Sequence, residues 1–304
     1  MTDEYHVPVL GRQAVEILVT DPNGVYVDCT VGGGGHSRLI VKRLSSRGRL
    51  IGVDRDPDAI AHARQALPSS VQLFSIPFSQ IALKLRDSVG HGAAGILFDL
   101  GVSSFQLDQP QRGFSHRFSG PLDLRMDPTQ GETAAEFIAR AEPRELTRTI
   151  RDHGEDPQAV RIAKAITRER ERTPIVTTDQ LARVVSNAVP ATRVKSLARV
   201  FQALRMQVNR ELEELAAGLD GAWSLLSPSG RLVLISYHSL EDRIVKDFMK
   251  AKAHPEVDPR LPIPPKVNPS GRLLLRKPLI PEDSEIRQNP RSRSAKLRAI
   301  EKIA

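Results

Sequence analysis

The sequence predicts an α/β protein: a mostly parallel sheet covered by helices, interrupted by an inserted all-α segment. Three observations carry this. Short apolar runs alternate with helical signals through the first third of the chain. No strand-like run appears between about residues 111 and 217, and strand character resumes at Arg231. Alternation of that kind builds a parallel sheet with helices on both faces.

The elements follow in order. A strand is expected over 25–28, a helix from Ser37, a strand over 50–53 and a helix from Pro57. A strand over 71–75, a helix from Ser79 and a strand over 94–99 complete the first part. The middle segment divides into helices over 133–141, 143–152, 157–172 and 178–189, then a long one from about Thr192. In that last helix Val194, Leu197, Phe201, Leu204, Val208, Leu212, Leu215 and Leu219 recur at steps of three and four, an amphipathic stripe expected to be core. After a Ser-Pro-Ser-Gly turn a strand is expected over 231–236 and a helix over 240–253. A proline-rich loop over 255–269 leads to two closing strands, over 273–276 and 296–300. The domain assignment is therefore 1–110 with 218–304 for the sheet domain and 111–217 for the insert.

At 304 residues the chain can bury a large core and still carry an insertion. Its formal charge is +8, and between Arg140 and Arg210 fifteen Lys and Arg face eight Asp and Glu, so the insert holds most of the excess. A polyanionic partner is the first expectation; the competing reading is a set of solvated helix faces. Cys29 stands alone in the chain, so no internal disulfide forms, and the eight histidines show no metal-ligand spacing. No metal is expected. No run approaches the length of a membrane span, and Met1-Thr2-Asp3-Glu4 is unlike a signal or transit peptide, so the expected compartment is the cytoplasm.

The chemistry begins at Asp28. It ends the first strand and is followed by Thr30, Gly32 and Gly34 at two-residue steps, within four consecutive glycines that open a helix. A dinucleotide fingerprint, G-x-G-x-x-G, fails at its third glycine in both frames, where Ser37 or Arg38 stands. The run fits better the D-x-G-x-G-x-G loop of S-adenosylmethionine (SAM) methyltransferases, with Thr30 for the first glycine. Asp54 ends the second strand, where a carboxylate can accept both hydroxyls of a ribose. That placement supports an adenosine without choosing between cofactor classes. Asp56 and Asp58 are better placed than Asp54 to cap the following helix.

Longer motifs then recur in order: His6-Val7-Pro8-Val9-Leu10, the Asp28 loop with His36, and Asp99-Leu100-Gly101-Val102-Ser103-Ser104 with Gln106-Leu107-Asp108. Arg112-Gly113-Phe114-Ser115, the Gly120 to Asp127 run, Phe201-Gln202-Ala203-Leu204-Arg205, residues 236–245 and residues 289–298 continue the series. Together they resemble the RsmH (MraW) family of small-subunit ribosomal RNA methyltransferases, over nearly the whole chain. The resemblance implies a Rossmann-like SAM domain with an antiparallel last strand and an inserted helical domain. It implies methylation of the N4 amine of a cytidine in the decoding region of 16S ribosomal RNA, with RNA read within the assembled small subunit. Residue by residue, it implies cofactor contacts at Gly34, Gly35, His36, Asp54, Phe78, Asp99 and Gln106. Lys195-Ser196-Leu197-Ala198-Arg199 departs from the family's usual His-Pro-Ala-Thr-Arg.

Two of those positions keep an alternative. Phe78 is either a ring against adenine or a hydrophobic residue opening a helix, and His36 is either a ligand contact or a helix-start histidine satisfied by its own turn. Asp99, at the carboxyl end of the fourth strand, is also the catalytic candidate, as acceptor for the amine protons, although Asp99-Leu100-Gly101 lacks the prolines and aromatic of a D-P-P-Y motif. Ser236, His238 and Asp108 are further pocket candidates. His238-Ser239 with Glu241 lacks a G-x-S-x-G elbow, which argues against a hydrolase triad. The basic run over 287–294 reads either as an RNA contact or as a plain surface loop.

Overall fold

The computed structural model describes residues 8–255 and 268–303. His6 and Val7 of the first motif and residues 256–267 of the proline-rich loop lie outside the described residues. The chain divides into two compact units, one running up to Gly101 and again from Leu212 onward, the other Val102–Glu211.

The first unit is built on seven strands: β1 (Val25–Asp28), β2 (Arg49–Asp54), β3 (Gln72–Ser75), β4 (Ala93–Asp99), β5 (Leu226–Ser236), β6 (Gly271–Leu273) and β7 (Lys296–Lys302). Their order across the sheet is β3-β2-β1-β4-β5-β7-β6. Strands β1 to β5 pair in parallel, and β7 is antiparallel to both β5 and β6. The two-residue period sorts the buried side chains onto opposite faces. Val27, Ile96, Phe98, Leu232 and Leu234 enter one core, and Tyr26, Leu97, Val233 and Ile235 enter the other. Chain order reverses between β1 and β4, so their carboxyl ends flank the crevice where open α/β sheets take ligands.

Several elements differ from expectation. The helix Gly11–Leu18 precedes β1, and the helix expected from Ser79 is three short pieces, Phe78–Gln80, Ile81–Lys84 and Arg86–Val89. The first closing strand spans Gly271–Leu273 rather than 273–276, and Gly271 carries no side chain to collide with Ile300 and Trp223 as β6 pairs with β7. A further short helix, Asp283–Gln288, follows it.

The second unit is helical: Ser104–Asp108, Ala134–Arg140, Pro143–Asp152, Ala159–Arg170, Thr178–Ala188 and Arg193–Asn209. Thr133 with Glu136 and Thr177 with Gln180 form reciprocal capping boxes that fix two of the starts. Phe137, Leu146, Ile150, Ile162, Ile166, Leu181, Val185 and Leu204 fill its core. Its borders fall at 102 and 211, against 111 and 217 from the sequence, for two physical reasons. Val102 and Leu107 already pack on the helical core. The single long helix expected from Thr192 is in fact two, because Arg210 takes a left-handed conformation (φ 49°, ψ 43°) and separates Arg193–Asn209 from Glu211–Leu225. The apolar stripe therefore serves two cores: Phe201 and Leu204 belong to the helical one, Leu215 and Leu219 to the sheet unit. Val194, at the stripe's start, is exposed.

Candidate active site

Four strand tips and one helix start assemble the site. At the end of β1, Asp28 is buried, and its two oxygens accept from the Thr30 N–H (3.1 Å) and the Ser37 hydroxyl (2.6 Å). Burial raises its carboxyl pKa. The carboxylate thus ties the glycine loop at both ends, which is a positioning task rather than ligand contact.

Within the loop Gly32 (φ 46°) and Gly34 (φ 77°) are left-handed, a region that side chains adopt only with strain. Gly34 is the N-cap of the helix Gly35–Val41, and Gly35 is its first residue. The Gly32 N–H donates to Asp54 Oδ2 at 2.9 Å, so the loop after β1 is held by the acid that ends β2. Asp54 Oδ1 accepts from the Asp56 N–H (2.9 Å), while Asp56 itself caps the helix Pro57–Ala66 through the Asp58 N–H. Capping therefore falls to Asp56. Desolvation pushes the half-buried Asp54 carboxyl up to about 7.

At the tip of β4, Asp99 is held on every side. Its N–H donates to the Thr30 hydroxyl (2.7 Å), which explains what a threonine does where related loops carry glycine. Its Oδ1 accepts from the Tyr237 hydroxyl at 2.8 Å, and its Oδ2 lies 3.5 Å from His36 Nδ1. His36 is buried, and its Nε2 stands 3.1 Å from the Val9 carbonyl. A carbonyl only accepts, so Nε2 carries a hydrogen and Nδ1 is left to face Asp99. The partners of this ring, the Val9 carbonyl and Asp99, lie far outside its own turn. Burial pushes Asp99 up to about 6 and raises the Tyr237 hydroxyl strongly.

Phe78 opens the short helical turn after β3 and meets Phe98 edge-on, ring centroids 5.1 Å apart. Gly218 leaves room for it, since a Cβ there would come within 2.6 Å of Phe78. Gln106 belongs to the helical unit, where its side-chain oxygen accepts from the Ser103 N–H (3.0 Å) in a capping box. Of the other candidates, Ser236 is buried at the end of β5. His238 caps the helix Ser239–Ala253 reciprocally with Glu241, a structural task that accounts for the His-Ser-x-Glu run. Asp108 ends its short helix in the helical unit.

The sequence reading missed Tyr237. Its only signal was its place, one residue beyond the strand that pairs with β4. Asp28, Thr30 and Ser37 were visible as loop residues, but not as the network that fixes Asp99 and the glycine turn.

The residues fit a nucleoside cofactor bearing a charged tail. An acid at the tip of β2 keeps one further lone pair on each oxygen for hydroxyl donors, and the strained glycine turn opens the main chain beside it. The three acids at Asp28, Asp54 and Asp99 supply no cluster with metal-ligand geometry, and each is already hydrogen-bonded within the protein.

The sequence profile of the MraW methylase family matches residues 3–303. The Ribosomal RNA small subunit methyltransferase H of Burkholderia pseudomallei (strain 1106a) is 49% identical over 308 residues, covering 98% of each chain. That of Burkholderia cenocepacia (strain HI2424) is 49% identical over 306 residues, covering 98% of this chain and 97% of its own. The crystal structure of an rRNA methylase from Streptococcus thermophilus superposes over the full length of both chains with 11% identity and a TM-score of 0.41. Both the motifs and the full-length identity lead to one conclusion: the chain belongs to the MraW methylase family.

Proposed function

We propose that this methylase transfers a methyl group from SAM to the exocyclic N4 amine of a cytidine in the decoding region of 16S ribosomal RNA, and acts on the assembled small subunit in the cytoplasm. The observation that carries the coarser part, methylation of small-subunit ribosomal RNA, is the 49% identity over 98% of both chains to enzymes bearing that name. The excess of Arg in the helical unit agrees with a polyanionic substrate, and no helix among the described residues is long and apolar enough to cross a membrane.

When bound, SAM supplies an electrophilic methyl carbon. Asp54 would hold the ribose as a double acceptor, the Gly34–Gly35 turn would let the main chain approach the tail, and Phe78 would offer its ring to the base. The acceptor amine has its lone pair delocalised into the pyrimidine, so it is a weak nucleophile until its N–H groups meet an acceptor. Asp99 is the candidate for that role. Tyr237 orients it by donating to Oδ1, and a carboxyl at about 6 is largely ionised at neutral pH. As the N–C bond forms and the S–C bond breaks, the amine sheds one proton, which Asp99 can receive. Positioning and acceptor placement thus supply the rate.

The test is transfer of labelled methyl from SAM to small subunits lacking their native modifications, with the product nucleoside identified by mass spectrometry. N4-methylcytidine at one site, lost in Asp54→Ala, supports the proposal. Measurable SAM binding without incorporation into subunits or free ribosomal RNA would sink it and favour an assembly factor that keeps SAM as a structural ligand.

A further inference from the structure

The helical unit carries a groove of about 650 Å³ between two of its helices, Pro143–Asp152 and Ala159–Arg170. Arg144, Arg148 and Arg151 line one wall, spaced so that they share one face of their helix, each about 6 Å or less along the axis from the next. Val160 and Lys164, one turn apart, line the other. Two glutamates also reach it, leaving the lining with four cations against two acids. Glu145 lies 3.5 Å from Arg140, and Glu142 is the N-cap residue, where the helix dipole itself favours an anion. Arg151 is paired with its neighbour Asp152 at 2.8 Å. By contrast, Arg144, Arg148 and Lys164 are exposed and make no hydrogen bond or ion pair among the described residues.

Arg148 also interacts electrostatically with Asp152, but none of the three is fastened in a close ion pair among the described residues, and nothing in the core of this unit requires them. The helices are already fastened by Leu146, Ile150, Ile162 and Ile166. Val160, 56% exposed, gives its wall of the groove an apolar surface. Cations beside an apolar surface suit a sugar-phosphate chain: phosphates would meet the guanidinium and ammonium groups, while ribose carbons would lie on the valine and the alkyl stems.

We propose that this groove docks the phosphodiester backbone of the RNA substrate, with Arg144, Arg148 and Lys164 each taking a phosphate. The inference rests on the ribosomal RNA reading above and names where on the helical unit that RNA is held. Such contacts position the RNA without reading its sequence. They release counterions, so each contributes to the salt dependence of binding.

The experiment compares the full-length protein with a triple variant, Arg144→Gln, Arg148→Gln and Lys164→Gln, and with a charge-matched control, Arg161→Gln, Arg168→Gln and Arg172→Gln, in the same unit but not among the groove-lining residues. Binding of a 16S ribosomal RNA fragment containing the decoding region is titrated across a series of salt concentrations, SAM binding is measured separately, and thermal unfolding confirms that each variant folds. The groove variant should bind RNA at least tenfold more weakly, with a slope of log K against log salt shallower by about 2, and retain its SAM affinity. The control should change the slope by less than half as much. An equal slope change in both variants, or none in the groove variant, overturns the proposal, as does a wild-type protein that does not bind the fragment. Methyl transfer by the wild type to subunits is scored independently. Its absence would defeat the ribosomal RNA methyltransferase reading while the salt slopes still decide whether the groove holds RNA.

Discussion

The Tyr237 hydroxyl donates to Asp99 Oδ1 at 2.8 Å, joining the end of β5 to the tip of β4. That bond favours the ionised carboxylate against the desolvation that pushes it up to about 6. Tyr237→Phe removes the donor, so the Asp99 pKa should rise further. The acid limb of the kcat profile should move to higher pH and kcat at neutral pH should fall about tenfold, while SAM affinity changes little. A pH–rate series on both proteins checks this, and an unmoved acid limb would show that Asp99 is not the titrating acceptor.

Asp54 makes a different prediction, on binding. Its carboxyl titrates near 7 in the free protein, and only the ionised form can accept from two ribose hydroxyls. Ligand binding must therefore lower its pKa and release a proton. SAM affinity should strengthen as pH rises from 6 to 8 and level off above that, with a slope approaching tenfold per pH unit on the acid side. Asp54→Asn should lose about 2 kcal/mol of binding and the pH dependence with it. Isothermal titration calorimetry in buffers of different ionisation enthalpy reads both the affinity and the proton.

Thr30 can be separated from its loop. Its hydroxyl is the partner of the Asp99 N–H, so Thr30→Val keeps the shape and orphans that donor, at a cost of about 1–3 kcal/mol in urea denaturation. Thr30→Ser should recover most of it. Equal losses in both variants would point to the methyl group rather than the hydroxyl.

The same acids set the stability of the ligand-free protein. Asp28, Asp54 and Asp99 all have folded pKa values raised above the unfolded range. Between about pH 4 and pH 7 the folded state thus binds more protons than the unfolded one, and the contribution of these groups falls as pH rises through that window. Wild type should lose stability relative to Asp54→Asn as pH is raised from 5 to 8, because only the wild type has a buried carboxyl to ionise at that position in that window. Tm values of both proteins across that range decide it.

Much of this could be read in the chain. The runs ending at Asp28, Asp54 and Asp99 are short, β-rich and bounded by turn residues, so local composition alone marks the strands and their carboxyl tips. What local signals could not give is partnership across the sheet. Tyr237 meets Asp99 only because strands distant in sequence lie side by side, and His36 meets the Val9 carbonyl only because the turn before the first helix comes against the helix after β1. The break at Arg210 was hidden for another reason. Left-handed residues are expected at Gly or Asn, and an arginine there, between two strongly helical segments, carries no such mark. Gln106 shows the converse limit, since its position in a motif says nothing of the Ser103 N–H that occupies its side-chain oxygen.

The placement of β7 inside the sheet bears on synthesis. β5 has an unpaired edge, and β6 has no strand to join, until the chain has been made through Lys302. The helical unit draws its core from residues made long before that point. During translation it can therefore settle while the sheet that surrounds it in sequence still waits with an open edge, a state in which strand-to-strand association with another nascent copy is the hazard.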